Sequence, residues 1–119
     1  MKVTLSRYEE GVPARSLYRK GVDFHETEFD VGCAEAAALL AGLKGHRSNL
    51  GVETPNSYLC FYIERDGSLW VEVVGDEFWA ISEIDLTTGA EIIRLASEGS
   101  PFGERIPTTA REWDAYGLS

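Results

Sequence analysis

Two cysteines, Cys33 and Cys60, and two histidines, His25 and His46, are the side chains of this 119-residue chain best suited to nucleophilic or acid–base chemistry. A thiol activated by an imidazole is such a device, and its two partners meet in space rather than in sequence. Neither cysteine stands in a local signature of that kind. Both lie in apolar contexts, Cys33 at the start of an alanine-rich segment and Cys60 in an alternating one, and inert buried thiols are expected. The Pro-Cys-x-x-Cys half of a zinc deaminase signature is missing. His25-Glu26-Thr27-Glu28-Phe29-Asp30 is the densest group of metal-competent side chains, and in an extended chain Glu26, Glu28 and Asp30 share a face. It has neither two histidines four apart nor the glycine and spacing of a calcium loop, so a solvated edge strand is the simpler reading. The twelve glycines are spread through turns and form no phosphate-binding loop. No catalytic residue, metal or cofactor is therefore expected.

A different constellation points to binding. Between Glu64 and Glu91 stand Glu64, Asp66, Glu72, Asp76, Glu77, Glu83, Asp85 and Glu91, with Arg65 as the only base, and Trp70, Phe78 and Trp79 lie among them. Carboxylates steer and orient a basic partner, while a few desolvated aromatic rings carry most of the affinity. Glu64, Asp66, Trp70, Glu72, Asp76, Glu77, Trp79, Glu83 and Asp85 are the partner-binding candidates. The competing explanation is structural: a sheet with one wet side must carry polar residues there, and the rings then belong to the core.

Twenty acidic residues against eleven basic give a formal charge of −9, which opposes direct contact with nucleic acid or an anionic membrane. Acidity of this size also serves simple solubility. The bases are polarised, with Lys2, Arg7, Arg15, Arg19 and Lys20 all among the first twenty residues. A chain of this length with 44% apolar residues and three tryptophans fits one folded domain spanning 1–119. Two cysteines make no disulfide scaffold, the start shows no signal-peptide pattern, and no segment reaches the ~20 apolar residues of a membrane span. The cytoplasm is the expected compartment.

The elements that must position these residues follow from periodicity. Val3, Leu5 and Tyr8 mark a first strand, the turn residues Glu9–Pro13 follow, and Ser16–Phe24 resumes an extended pattern, giving an N-terminal hairpin. Cys33–Lys44 is the clearest helix, with Ala36, Leu39, Leu40 and Leu43 on one stripe, Asp30 capping its start and Gly45 its end. His46–Asn56 reads as a loop. Ser57–Glu64 alternates strictly, Asp66-Gly67 signals a hairpin into Leu69–Val74, Gly75-Asp76 turns into Glu77–Ile84, and Asp85–Gly89 turns into a fourth strand, Ala90–Ala96. A short helix from Thr108 or Thr109 to Tyr116, anchored by Trp113, closes the chain. The expected fold is α+β: an antiparallel β-meander of about four to six strands with an N-terminal hairpin, packed against one main α-helix, plus a short C-terminal helix.

The order of helix, meander and a closing Phe102-Gly103-Glu104-Arg105-Ile106-Pro107 before a short helix with Glu112 and Trp113 resembles, in layout over about the last ninety residues, the small immunity proteins of bacterial polymorphic-toxin systems. The resemblance implies one-to-one binding to a toxin's catalytic domain, with acidic residues occluding its active site; the basic N-terminal hairpin departs from that pattern. The expected function is an acidic inhibitor or immunity-type protein, not an enzyme, that blocks a basic partner such as a toxin or a nucleic-acid-processing enzyme. A phage-encoded inhibitor of a host defence complex shares the same size and charge. A small hydrolase or nucleotide-modifying enzyme using His25 or His46, and an accessory subunit that self-associates through a sheet edge, are the alternatives from other classes.

Overall fold

Alternation along the strands decides which side of the sheet becomes the core. Val3 and Leu5, Leu50 and Val52, Leu59 and Phe61, and Val71 and Val73 are all buried, and the residues between them belong to the other face. The computed structural model describes residues 1–8, 24–75, 79–106 and 111–112. Its elements are β1 (Lys2–Tyr8), β2 (Phe24–Asp30), α1 (Cys33–Ala41), β3 (Asn49–Glu53), β4 (Ser57–Ile63), β5 (Leu69–Gly75), β6 (Trp79–Ile84), α2 (Leu86–Ser97), a 3-10 turn at Gly103–Arg105 and a two-residue β7 (Arg111–Glu112). The strands form one sheet in the order β2-β1-β3-β4-β5-β6-β7, every described pairing antiparallel. The expected α+β class and antiparallel meander are what the chain adopts.

Two rows cross the core side of the sheet. Val3, Val52, Leu59, Val73 and Ala80 are in register in one, and Leu5, Leu50, Phe61, Val71 and Ser82 in the next. Both helices lie on these rows. From α1 come Ala36 and Leu40, with Leu43 just beyond its end; from α2 come Gly89, Ile92, Ile93 and Ala96, a spacing of three, one and three that places all four on one face. Gly89 lies where α2 meets α1 and the sheet. A Cβ there would stand 2.8 Å from Leu40 Cδ2, 3.3 Å from Ile84 Cδ1 and 3.5 Å from Phe61 Cε1, so any side chain would have to push Leu40 and Ile84 aside.

Several local expectations are corrected. Ala90–Ala96 is the greater part of α2 and not a strand. Alternation would have set Arg94 in line with Ile92 and Glu91 in line with Ile93, burying one charge in either register. The helix instead buries both isoleucines and leaves Arg94 and Glu91 paired at the surface, 2.7 Å apart. Asp85, expected in a turn, is the N-cap, its Oδ1 accepting the Thr88 amide at 2.7 Å. The loop assigned to His46–Asn56 contains β3, because Leu50 and Val52 need a pleated backbone to reach the core. Gly32, and not Asp30, caps α1; Asp30 lies 3.3 Å from the Met1 ammonium. The helix ends at Ala41, with Gly42 as its C-cap.

The N-terminal hairpin is formed by β1 and β2, its second strand beginning at Phe24, where the expected strand stopped. Residues 16–23 of that expectation lie outside the described residues. So does most of the proposed closing helix, including Trp113; Arg111 and Glu112, within it, are extended and pair with Ile81 and Ala80. The helix in the C-terminal part of the chain is α2.

Candidate functional site

The face of the sheet turned away from α1 and α2 is where chemistry-bearing residues collect. Register places Glu53, Tyr58, Val74 and Trp79 in one row. The next row holds Glu28, Thr4, Gly51, Cys60, Glu72 and Ile81, and a third holds Asn49, Tyr62, Trp70 and Glu83. Among the described residues no helix lies over these rows. Tyr58 is 41% exposed, and Cys60, Tyr62, Trp70, Glu72, Val74 and Ile81 are half-buried, as side chains in a mutually packed surface layer are.

Each ring has a local cause for its position. Gly51 has no side chain, and the Tyr58 ring from β4 lies across the space: a Cβ on Gly51 would fall within 2.9 Å of Tyr58 Cζ. A glycine inside a strand leaves a gap that a cross-strand aromatic can fill. Trp70 is held from the β4–β5 hairpin. Asp66 Oδ1 accepts the Ser68 amide at 2.9 Å and also its hydroxyl, and Ser68 Oγ accepts Trp70 Nε1–H at 2.8 Å. These bonds hold the Asp66 carboxyl below its ordinary range. The hairpin itself closes as Asp66-Gly67 requires, with Gly67 at φ 86° and the Glu64 amide on the Ser68 carbonyl at 2.9 Å.

The expected partner-binding residues therefore divide. Trp70, Glu72 and Glu83 share the open face, and Trp70 and Glu83 are direct cross-strand neighbours. Trp79 takes the register position opposite Val74. Glu64 and Asp66 belong to the β4–β5 hairpin, where Asp66 acts through Ser68 on Trp70. Asp85 caps α2 at the helix layer, and the amide of Thr88 depresses its carboxyl pKa. Asp76 and Glu77 lie outside the described residues. Tyr58 and Tyr62 were not among the candidates, although their alternation with Leu59 and Phe61 signalled that they stand on the face away from the core.

The residues suited to nucleophilic chemistry are not brought together. Cys60 is on the open face and Cys33 opens α1 on the other side of the sheet, packed against the core; both are half-buried free thiols. Burial, and secondly the charge of Glu72, push the Cys60 thiol up to about 11. His46 is exposed in the turn between α1 and β3, and His25 takes the register position opposite Arg7. No three His, Cys, Asp or Glu side chains among the described residues stand close enough to hold a metal. Glu28, from the acidic strand, bonds Lys2 at 3.1 Å and raises the lysine's pKa.

A cleft of about 370 Å³ opens at one end of the helix layer, between Ser57, Val73 and Gly75 of the sheet and Gly99–Gly103 after α2. Its described lining has no ionisable side chain, and Ser57 Oγ is within 2.7 Å of Thr54 Oγ1.

The chain matches no family model, no curated protein and no solved structure. Its site is defined by its own geometry. No described helix is long and apolar enough to cross a membrane.

Proposed function

We propose that this protein is an acidic inhibitor of the immunity type, a binding protein without catalysis of its own that blocks a basic macromolecular partner with the open face of its sheet. One observation carries the reading. Tyr62 and Trp70 are cross-strand neighbours beside Glu83, Tyr58 stands two rows away beside Glu53, and Glu72 and Glu28 lie in the row between, all on a sheet face that no described helix covers, in a chain of formal charge −9. Aromatic rings with carboxylates between and beside them are the composition of an interface in which the rings supply affinity and the charges supply orientation. Rigid strands hold that composition in one plane, which limits the ordering cost of association.

The carboxylates act at long range by drawing in a basic surface, such as that of a toxin or a nucleic-acid-processing enzyme, and at short range by fixing register. The rings then exclude water from the contact. A partner's active site built to hold phosphate is basic for the same reason, and a carboxylate-bearing sheet seated on it blocks substrate. An inhibitor of a host defence complex would use the same surface in the same way.

Affinity capture tests the reading. The wild-type chain, the Trp70→Ala variant and the Glu72→Lys/Glu83→Lys variant are immobilised in parallel, and retained proteins are quantified by mass spectrometry. The expected result is a basic protein held by the wild type, released as salt rises and lost from both variants. Equal retention by all three chains would reject the open face as the binding surface.

A further inference from the structure

Among the described residues, β2 is an outer strand of the sheet. All seven residues of β2, Phe24 to Asp30, are in register with β1 on its inner side, without a bulge. The sheet order ends at β2, so among the described residues no strand meets its outer backbone groups. Seven residues are ample for strand addition, in which main-chain hydrogen bonds give affinity and alternate side chains give selectivity. Edges are usually blunted by proline, a bulge, or lysine and other charged side chains. Phe24-His25-Glu26-Thr27-Glu28-Phe29-Asp30 contains no proline, glycine or lysine.

What the edge does have is charge of one sign at alternate positions. Glu28 is in the same cross-sheet row as Thr4, Gly51, Cys60 and Glu72, so its carboxylate belongs to the open face. The sign of the edge charges selects the occupant. A second copy of β2 added antiparallel about Thr27 would set Glu26 of each copy against Glu28 of the other, and like charges directly opposite destabilise a ladder. The edge thus disfavours its own copy and any acidic segment. A strand with lysine or arginine at every second position meets opposite charge instead. Lys2 and the Met1 ammonium already contact Glu28 and Asp30; the Lys2–Glu28 pair and the Asp30 carboxylate are at the surface, where an incoming cation exchanges at little cost, while the ammonium keeps its bond to the Val31 carbonyl at 2.8 Å.

We propose that β2 is a strand-addition edge for a basic extended segment of the partner, its Lys or Arg side chains alternating along the side that faces Glu28 and Asp30. The inference rests on the proposed function for the basic character of the partner, and it locates a contact that the aromatic rows do not make.

The probe is a seven-residue peptide alternating lysine and valine, blocked at both ends, titrated into the full-length isotope-labelled protein while amide exchange is followed by NMR. The outward amides of β2 are expected to slow about tenfold at saturation, with α1 and α2 unchanged. The same peptide with glutamate in place of lysine is expected to leave them unaffected, and Glu28→Lys combined with Asp30→Lys to abolish the protection. Perturbation centred on Tyr62 and Trp70 with β2 unchanged would overturn the proposal. So would peptide binding without slowed β2 exchange, which is charge contact without strand addition, or β2 protection that grows with protein concentration in the absence of peptide, which is pairing with a second copy. Trp70→Ala separates the two claims. If the peptide fails while Trp70→Ala still weakens partner binding, the edge alone is refuted; if the peptide pairs while Trp70→Ala leaves partner binding intact, the aromatic face is.

Discussion

Cys60 shows how one half-buried position on the open face constrains chemistry. With its thiol pushed up to about 11, only about one molecule in a thousand is thiolate at pH 8. Alkylation of the native protein at that pH is expected to leave Cys60 unmodified until denaturant is added; rapid native labelling would show that the position is open. The same shift sets an alkaline limb of stability. The folded state holds its proton more tightly than the unfolded chain, so this contribution is complete below the ordinary thiol value of about 9 and is lost as pH rises from there towards 11. The loss is on the order of 2–3 kcal/mol, and denaturation of Cys60→Ala across that range is expected to show a flatter limb. Gly51 makes the complementary point. Any side chain there must displace the Tyr58 ring. Gly51→Val is expected to expose Tyr58 to solvent while leaving the core-facing Leu50 and Val52 in place, and an unchanged tyrosine environment by NMR would contradict that.

At the scale of elements, the strands were legible wherever a strict alternation ended in a turn with its own chemistry. Ser57–Glu64, Asp66-Gly67 and Leu69–Val74 correspond to β4, its hairpin and β5, because period two and a glycine with positive φ each leave a local trace. Ala90–Ala96 was misread for a physical reason. Two isoleucines after a Thr-Thr-Gly turn resemble a strand, and the helical stripe becomes visible only when Gly89 is counted as a contact residue with Ile92, Ile93 and Ala96. β3 was hidden because its five residues include Gly51, whose missing side chain is supplied by Tyr58 from the next strand. The candidate site was half legible: the charge and tryptophans were countable, but which carboxylates share a face depends on register. Gly89→Val is expected to destabilise by about 1–3 kcal/mol through overpacking against Leu40 and Ile84, measured by denaturant titration. Asp85, Asp66 and Glu91 all have depressed carboxyl values, from the Thr88 amide, the Ser68 hydroxyl and the Arg94 guanidinium respectively. Their stabilisation is present above the ordinary carboxylate range and is lost as pH falls through the lower folded values, so Asp85→Asn is expected to shrink the acid limb. An acid limb as steep as that of the wild type would deny the cap its role.

Across the whole molecule, the proposed function gives the two faces of the sheet different jobs. One face is committed to folding: Phe61 lies fully buried between α2 and the neighbouring strands, and Phe61→Ala is expected to cost about 3–5 kcal/mol in calorimetry or denaturant titration. The other carries Tyr58, Tyr62, Trp70, Glu72 and Glu83, none of which belongs to that core, so their replacement is expected to change binding with little loss of stability. Glu104, on the 3-10 turn packed near α2, is an exposed carboxylate on the helix side and serves as the charge control. The most direct measurement is the affinity of the captured basic partner for the wild type, Trp70→Ala, Glu72→Lys/Glu83→Lys and Glu104→Lys by titration calorimetry at one salt concentration. Losses of about 30-fold or more for the first two variants, with Glu104→Lys within about threefold of the wild type, are expected. Four equal affinities, or a larger loss from Glu104→Lys than from Trp70→Ala, would contradict binding through the open face.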